Sequence, residues 1–147
     1  RWLPTTDKYI GGTSTVTPSL VVGGAGDSAG AMRLSGTITL GKTWSWAGIL
    51  LNPGDKPVAP VDARACSELV FHVRGDGREL AVVLFSGAQM ATEPPRVMIR
   101  PGKDRQEIRV PLARFPGADL AQFRAIAITA GLPAGAYEFD IDSVEIR

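Results

Sequence analysis

Met32-Arg33-Leu34-Ser35-Gly36-Thr37-Ile38-Thr39-Leu40 is the stretch that decides the fold class. Met32, Leu34, Ile38 and Leu40 keep one phase, and Arg33, Ser35, Thr37 and Thr39 keep the other. Successive side chains of a strand point to opposite faces, so this segment predicts a strand with one wet side. The same period recurs on either side of it. Leu69, Phe71 and Val73 alternate with Val70, His72 and Arg74, and Ile108, Val110 and Leu112 alternate with Glu107, Arg109 and Pro111. Leu80 to Phe85 is apolar in both phases, as expected of a central strand covered on both faces.

Turn residues separate these runs. Gly75-Asp76-Gly77-Arg78 divides two strands with the Asp-Gly chemistry of a tight hairpin, and the glycine-rich segment 23–30 divides two more. Pro53-Gly54-Asp55 and Pro101-Gly102-Lys103-Asp104 are further turns. Pro18 interrupts residues 13–22, which places that segment at a sheet edge or at a break. Near the end, Tyr137, Phe139 and Ile141 hold one phase and Val144 and Ile146 the other, which predicts a β-bulge near Asp142-Ser143. Helical pattern is confined to single turns at residues 118–123 and 62–67. The sum is roughly eight to ten short strands with no repeat and no linker, the signature of an all-β sandwich or jelly roll.

Composition agrees. The chain has 147 residues with 17 glycines and 11 prolines, too breaker-rich for a helical bundle and long enough for one domain with its own core. Residues 1–147 form a single domain. Sixteen basic against 15 acidic residues leave a net charge of +1, and the scatter of Lys and Arg argues against nucleic acid or an anionic membrane as partner. No apolar run approaches the ~20 residues of a membrane span. With one Cys and one His, neither an intrachain disulfide nor a His/Cys metal cluster can form. The start at Arg1 suggests a domain excised from a longer chain.

Several motifs imitate catalytic ones. Gly26-Asp27-Ser28-Ala29-Gly30 fits G-x-S-x-G, but a nucleophile serine needs a base beside it and an exposing helix after it. A strand follows instead, and the motif reads as a hairpin loop. Gly24-x-Gly26-x-x-Ala29 imitates a dinucleotide fingerprint and lacks the helix that would hold a pyrophosphate. His72 has no visible catalytic partner, and Cys66 reads as buried and inert. Asp140 and Asp142, two residues apart, share a strand face if the bulge follows Asp142; they are the candidate ligands of a structural calcium, or else a solvated face. Trp44 and Trp46 share a face if residues 42–51 are extended. One of them is expected in the core; the other is open between core and a sugar-stacking surface.

The motifs in order resemble the complex I intermediate-associated protein family. Thr6-Asp7-Lys8-Tyr9-Ile10-Gly11-Gly12-Thr13-Ser14 resembles its "TD-x-x-x-GG-x-S" opening. Ala31-Met32-Arg33-Leu34-Ser35-Gly36, Trp46-Ala47-Gly48 and the stretch from Glu68 to Arg78 follow in register. Gln106-Glu107-Ile108-Arg109-Val110-Pro111-Leu112 resembles the later "W-x-x-V-x-I-P-F" strand, and Phe139-Asp140-Ile141-Asp142-Ser143-Val144 the closing one. The resemblance implies a galactose-binding-like jelly roll, similar to family-eleven carbohydrate-binding modules, usually without catalytic residues. It implies attachment to a larger enzyme, such as an amidohydrolase, in bacteria, or an assembly role for a respiratory complex in eukaryotes. It also implies a structural calcium at Asp140 and Asp142, although Ser143 stands where the closing motif has a second adjacent Asp. Exported relatives would favour a periplasmic or extracellular setting.

The leading expectation is therefore a non-catalytic accessory module with a ligand-binding, plausibly carbohydrate-binding, sheet face formed by Trp46, His72, Arg74 and Gln89. A bare solvated face is the plain alternative. The rival function is docking against a catalytic domain or an assembly client, through a large apolar patch that includes Trp2 and Leu3.

Overall fold

A computed structural model describes residues 1–41, 43–87 and 93–147. Ten strands run through the described residues: β1 (Trp2–Thr6), β2 (Thr17–Val22), β3 (Gly30–Ile38), β4 (Ala47–Leu51), β5 (Glu68–Arg74), β6 (Leu80–Ser86), β7 (Arg96–Ile99), β8 (Gln106–Pro111), β9 (Phe123–Ala130) and β10 (Gly135–Ile146). They form two five-stranded antiparallel sheets, ordered β1-β4-β9-β6-β7 and β2-β3-β10-β5-β8. This is the expected all-β jelly-roll sandwich.

In β3, β5, β8 and β10 the inward phase is the apolar one anticipated from the alternation. Leu34, Ile38, Leu69, Phe71, Val73, Phe139 and Ile141 descend from the second sheet onto Ile49, Val82, Leu84, Ile126 and Ile128 of the first, all at most 1% exposed. Burying each such large side chain is worth about 1.5–3 kcal/mol. Pairing in β3 stops at Ile38, so Leu40, in phase with the strand, is left exposed.

Proline 18 lies in β2, an edge strand, where its missing N–H costs no ladder bond. The bulge falls where the phase slip required it: the β10–β5 register shifts between Asp142 and Glu145, and Ser143 takes a φ of 51°. Residues 23–29 are the hairpin loop between β2 and β3. The turn at Gly75–Arg78 is not a hairpin, however. It carries the chain from β5 in the second sheet to β6 in the first. Arg78 ties this crossover down, its guanidinium donating to the carbonyls of Gly131 (2.8 Å), Ala136 (3.1 Å) and Pro133. Asp76 accepts from the Glu138 N–H at 3.0 Å.

Of the two helical turns expected, one forms as a 3-10 turn at Leu120–Gln122, where Asp119 accepts from Ala121 N–H at 3.1 Å. The other stops at a single bend held by Cys66 N–H to Ala63 O. A 3-10 turn at Asp7–Ile10 was not anticipated. Its Asp7 is fully buried and accepts from both the backbone N–H (3.0 Å) and hydroxyl (2.6 Å) of Ser14. Ser14 in turn accepts from Thr39 N–H at 3.0 Å, which fastens the opening segment to the end of β3. Gly12 is required there, because a Cβ would sit 2.3 Å from the Asp7 carboxyl carbon.

Candidate functional site: an apolar groove on the first sheet

The doubly apolar strand β6 explains itself in the fold. Leu80, Val82 and Leu84 enter the core, and Ala81, Val83 and Phe85 point the other way. Among the described residues no second sheet or helix packs on that outward row, contrary to the expectation for residues 80–85; Ala81 and Phe85 stay partly exposed and Val83 is buried among its neighbours. The row forms the floor of a groove of about 770 Å³ on the outer face of the first sheet, with Leu50, Ala127 and Met98 beside it. An open groove with a greasy floor costs free energy in water, and such surfaces usually have a ligand.

Aromatic side chains converge on this groove from outside the sheet. Tyr9, on the 3-10 turn after β1, is 79% exposed, and Trp44 is 50% exposed. Trp46 also lines the groove, half-buried, and donates from Nε1 to Thr5 Oγ1 at 3.3 Å. The expectation that one tryptophan would fill the core is thus corrected: both lie on the outer face. Phenylalanines fill the core instead, with Phe71, Phe123 and Phe139 its largest fully buried side chains. From the loop before β4, Trp44 reaches across the face to β7, where the Arg96 guanidinium lies 5.4 Å from its ring centre.

Of the four ligand-binding residues expected from the sequence, the three described ones are not brought together. Trp46 belongs to the groove of the first sheet. His72 and Arg74 lie on β5, on the outer face of the second sheet, and Gln89 lies outside the described residues. Their strand phase was right, but phase does not tell which sheet a strand joins. The Arg74 donors are also engaged, Nε to Asp140 Oδ2 at 2.8 Å and a terminal nitrogen to Glu138 at 2.9 Å. His72 Nε2 is 3.7 Å from a Glu107 oxygen, and its buried Nδ1 has no hydrogen-bond partner among the described residues.

Asp140 and Asp142 do share an outward face, with the bulge after Asp142, but their surroundings do not fit a calcium ion. Asp140 is 2% exposed and accepts from Arg33 Nε at 2.8 Å as well as from Arg74, with Arg105 3.9 Å away. Burial alone would push its carboxyl up; the hydrogen bonds from Arg33 and Arg74 outweigh burial and hold it below the usual carboxylate range. Cations clustered at this carboxylate would repel a divalent metal. The Asp142 oxygens accept from Ala25 N–H (2.7 Å) and Ser143 N–H (2.8 Å), so this side chain closes the β2–β3 loop and the bulge. Among the described residues, no three His, Cys, Asp or Glu groups gather as metal ligands.

The G-x-S-x-G segment lies in that same loop, where the Ser28 hydroxyl donates to Gly30 O at 2.9 Å. Cys66 is half-buried beside the Ile146 carbonyl, its sulfur 3.9 Å from that oxygen.

No protein-family model matches this sequence, and no curated protein matches it. Solved structures do. The chain is similar to the family 11 carbohydrate-binding module of the cellulosomal cellulase Lic26A-Cel5E of Clostridium thermocellum, with a TM-score of 0.72 at 16% identity, over 99% of this chain and 86% of that one. The chain has the β-sandwich fold of carbohydrate-binding modules. A family 11 module from the same organism, in complex with a β-1,3-1,4-mixed-linked tetrasaccharide, matches with a TM-score of 0.67 at 17% identity over 99% and 87% of the two chains. A family 30 carbohydrate-binding module of the Clostridium thermocellum cellulase Cel9D-Cel44B matches with a TM-score of 0.68 at 14% identity over 89% and 82%. The resemblance to the complex I intermediate-associated family stays on the motifs quoted above; no family match accompanies it. In the module fold those motifs have structural work, as the Asp7–Ser14 pair and the Asp140–arginine cluster illustrate.

Proposed function

We propose that this domain is a non-catalytic carbohydrate-binding module whose ligand lies in the groove over β9, β6 and β7. The observation that carries the proposal is the convergence of Tyr9, Trp44 and Trp46 on one apolar floor. A pyranose ring is apolar on its faces and polar at its edges. An indole or a row of aliphatic side chains complements the face, while the open groove leaves the hydroxyl edges in water. The fold likeness to carbohydrate-binding modules, one of them solved with an oligosaccharide, supports the reading.

The test is affinity electrophoresis of the domain through gels containing mixed-linked β-glucan and a panel of neutral and acidic polysaccharides. At least one polymer should retard the protein, and Trp46→Ala should lose that retardation while melting cooperatively. Migration unchanged by every polymer would refute the assignment.

A docking role draws on a different place. On edge strand β2, Leu20 is 81% and Val22 99% exposed, an apolar strip at an open sheet edge. The resemblance implies only the partner, a catalytic domain such as an amidohydrolase or a respiratory-complex assembly client; the patch expected at Trp2 and Leu3 gives way to this strip, since Leu3 lines the groove and Trp2 is 36% exposed. Leu20→Lys with Val22→Lys would then block association with the partner and spare polysaccharide binding.

A further inference from the structure

We infer that the groove selects an acidic glycan, one carrying uronic-acid carboxylates, and that Arg96 is the residue that reads the carboxylate. This rests on the carbohydrate reading and narrows it. Arg96 lies on β7 opposite Val83 of the groove floor, in outward phase with Met98. Its guanidinium is held over Trp44 at 5.4 Å. A cation–π contact uses none of the five N–H donors, so the side chain is positioned while its hydrogen-bonding edge stays free. Among the described residues, no carboxylate comes within ion-pair distance of it.

The contrast with the opposite face is instructive. There Arg33 and Arg74 are both engaged by carboxylates. In the groove a planar, permanently charged fork is left facing an apolar floor. A carboxylate is the group that matches that fork with two parallel hydrogen bonds, and the greasy surroundings strengthen the attraction over its value in water. The groove is also polar along its length. Glu79, the residue just before β6, lines it four positions from the residue opposite Arg96 and about 13 Å away at strand rise.

Binding is measured by affinity electrophoresis and calorimetry with glucuronoxylan, polygalacturonate and alginate, each beside its carboxyl-reduced form, with mixed-linked β-glucan as the neutral control. The expected result is retention of at least one native acidic polymer about tenfold tighter than its reduced form, weakening with salt. Arg96→Gln should erase the difference, and Arg96→Lys should restore part of it; both should melt within a few degrees of the parent. Equal binding of native and reduced forms, or preference for neutral glucan, overturns the role of Arg96 and leaves the carbohydrate reading standing. Retention by no polymer overturns both.

Discussion

Asp140 of β10 stands opposite Arg33 of β3 in the ladder, and the arginine grips it with two hydrogen bonds, Nε to Oδ1 at 2.8 Å and a terminal nitrogen to Oδ2 at 3.1 Å. Arg74 closes on the same carboxylate from β5, so one acid links three adjacent strands of the second sheet. Its native carboxyl is held below the ordinary value of 3.8, against the opposing effect of burial. A depressed carboxylate contributes stability that is fully present above its unfolded pKa and is lost as pH falls through the native one. The melting temperature should therefore fall below about pH 4, more steeply in the parent than in Asp140→Asn. At neutral pH that variant should be about 2 kcal/mol less stable, since its arginines are only partly buried and water recovers some of the loss. Denaturant titration at several pH values measures both, and parallel pH profiles for the two proteins would contradict the account.

Ser14→Ala removes a hydroxyl that donates to buried Asp7 and accepts from Thr39 N–H. Two groups then lose a partner, so the loss should be about 1–3 kcal/mol. Ser14→Thr, which keeps the hydroxyl, should recover part of it. Urea unfolding reads the difference, and a midpoint unchanged in Ser14→Ala would show that water satisfies both groups.

Trp44→Ala should cost little stability, because the ring is half exposed, yet it removes both a groove wall and the support of Arg96. Polysaccharide retention should fall about tenfold or more with the melting temperature nearly unchanged. Thermal melts alongside affinity electrophoresis separate the two effects. Full retention by the variant would place the ligand elsewhere.

Calcium should leave this domain unmoved. With the oxygens of Asp140 taken by guanidinium groups and those of Asp142 by backbone N–H groups, millimolar calcium or a chelator should not shift the melting temperature. A rise of several degrees in calcium would show that a metal reorganises this face.

Much of the site is written in the chain, in signals that lie far apart along it. The doubly apolar run from Leu80 to Phe85 was visible, and so was the Trp44/Trp46 spacing; together they mark the groove. Arg96 carried no such signal, because an arginine before a short alternation looks like any solvated strand residue. Asp7 and Ser14 were visible as a motif without a role, since their bond depends on the turn between them closing.

The amino-acid order alone determined the alternating strands and their inward phase, the exclusion of Pro18 from the interior of a sheet and the bulge near Asp142-Ser143. Each of these follows from local sterics: the pleat alternates every residue, proline has no N–H, and a slipped phase needs an extra residue. Only the tertiary structure decided which sheet each strand joins, and hence that Trp46 and Arg96 share a face while His72 and Arg74 lie on the opposite side of the sandwich. That choice is made by hydrogen bonding between segments far apart in the chain, such as β4 with β9 and β5 with β10. A period of two states which way a side chain points and carries no information about its neighbours across the ladder.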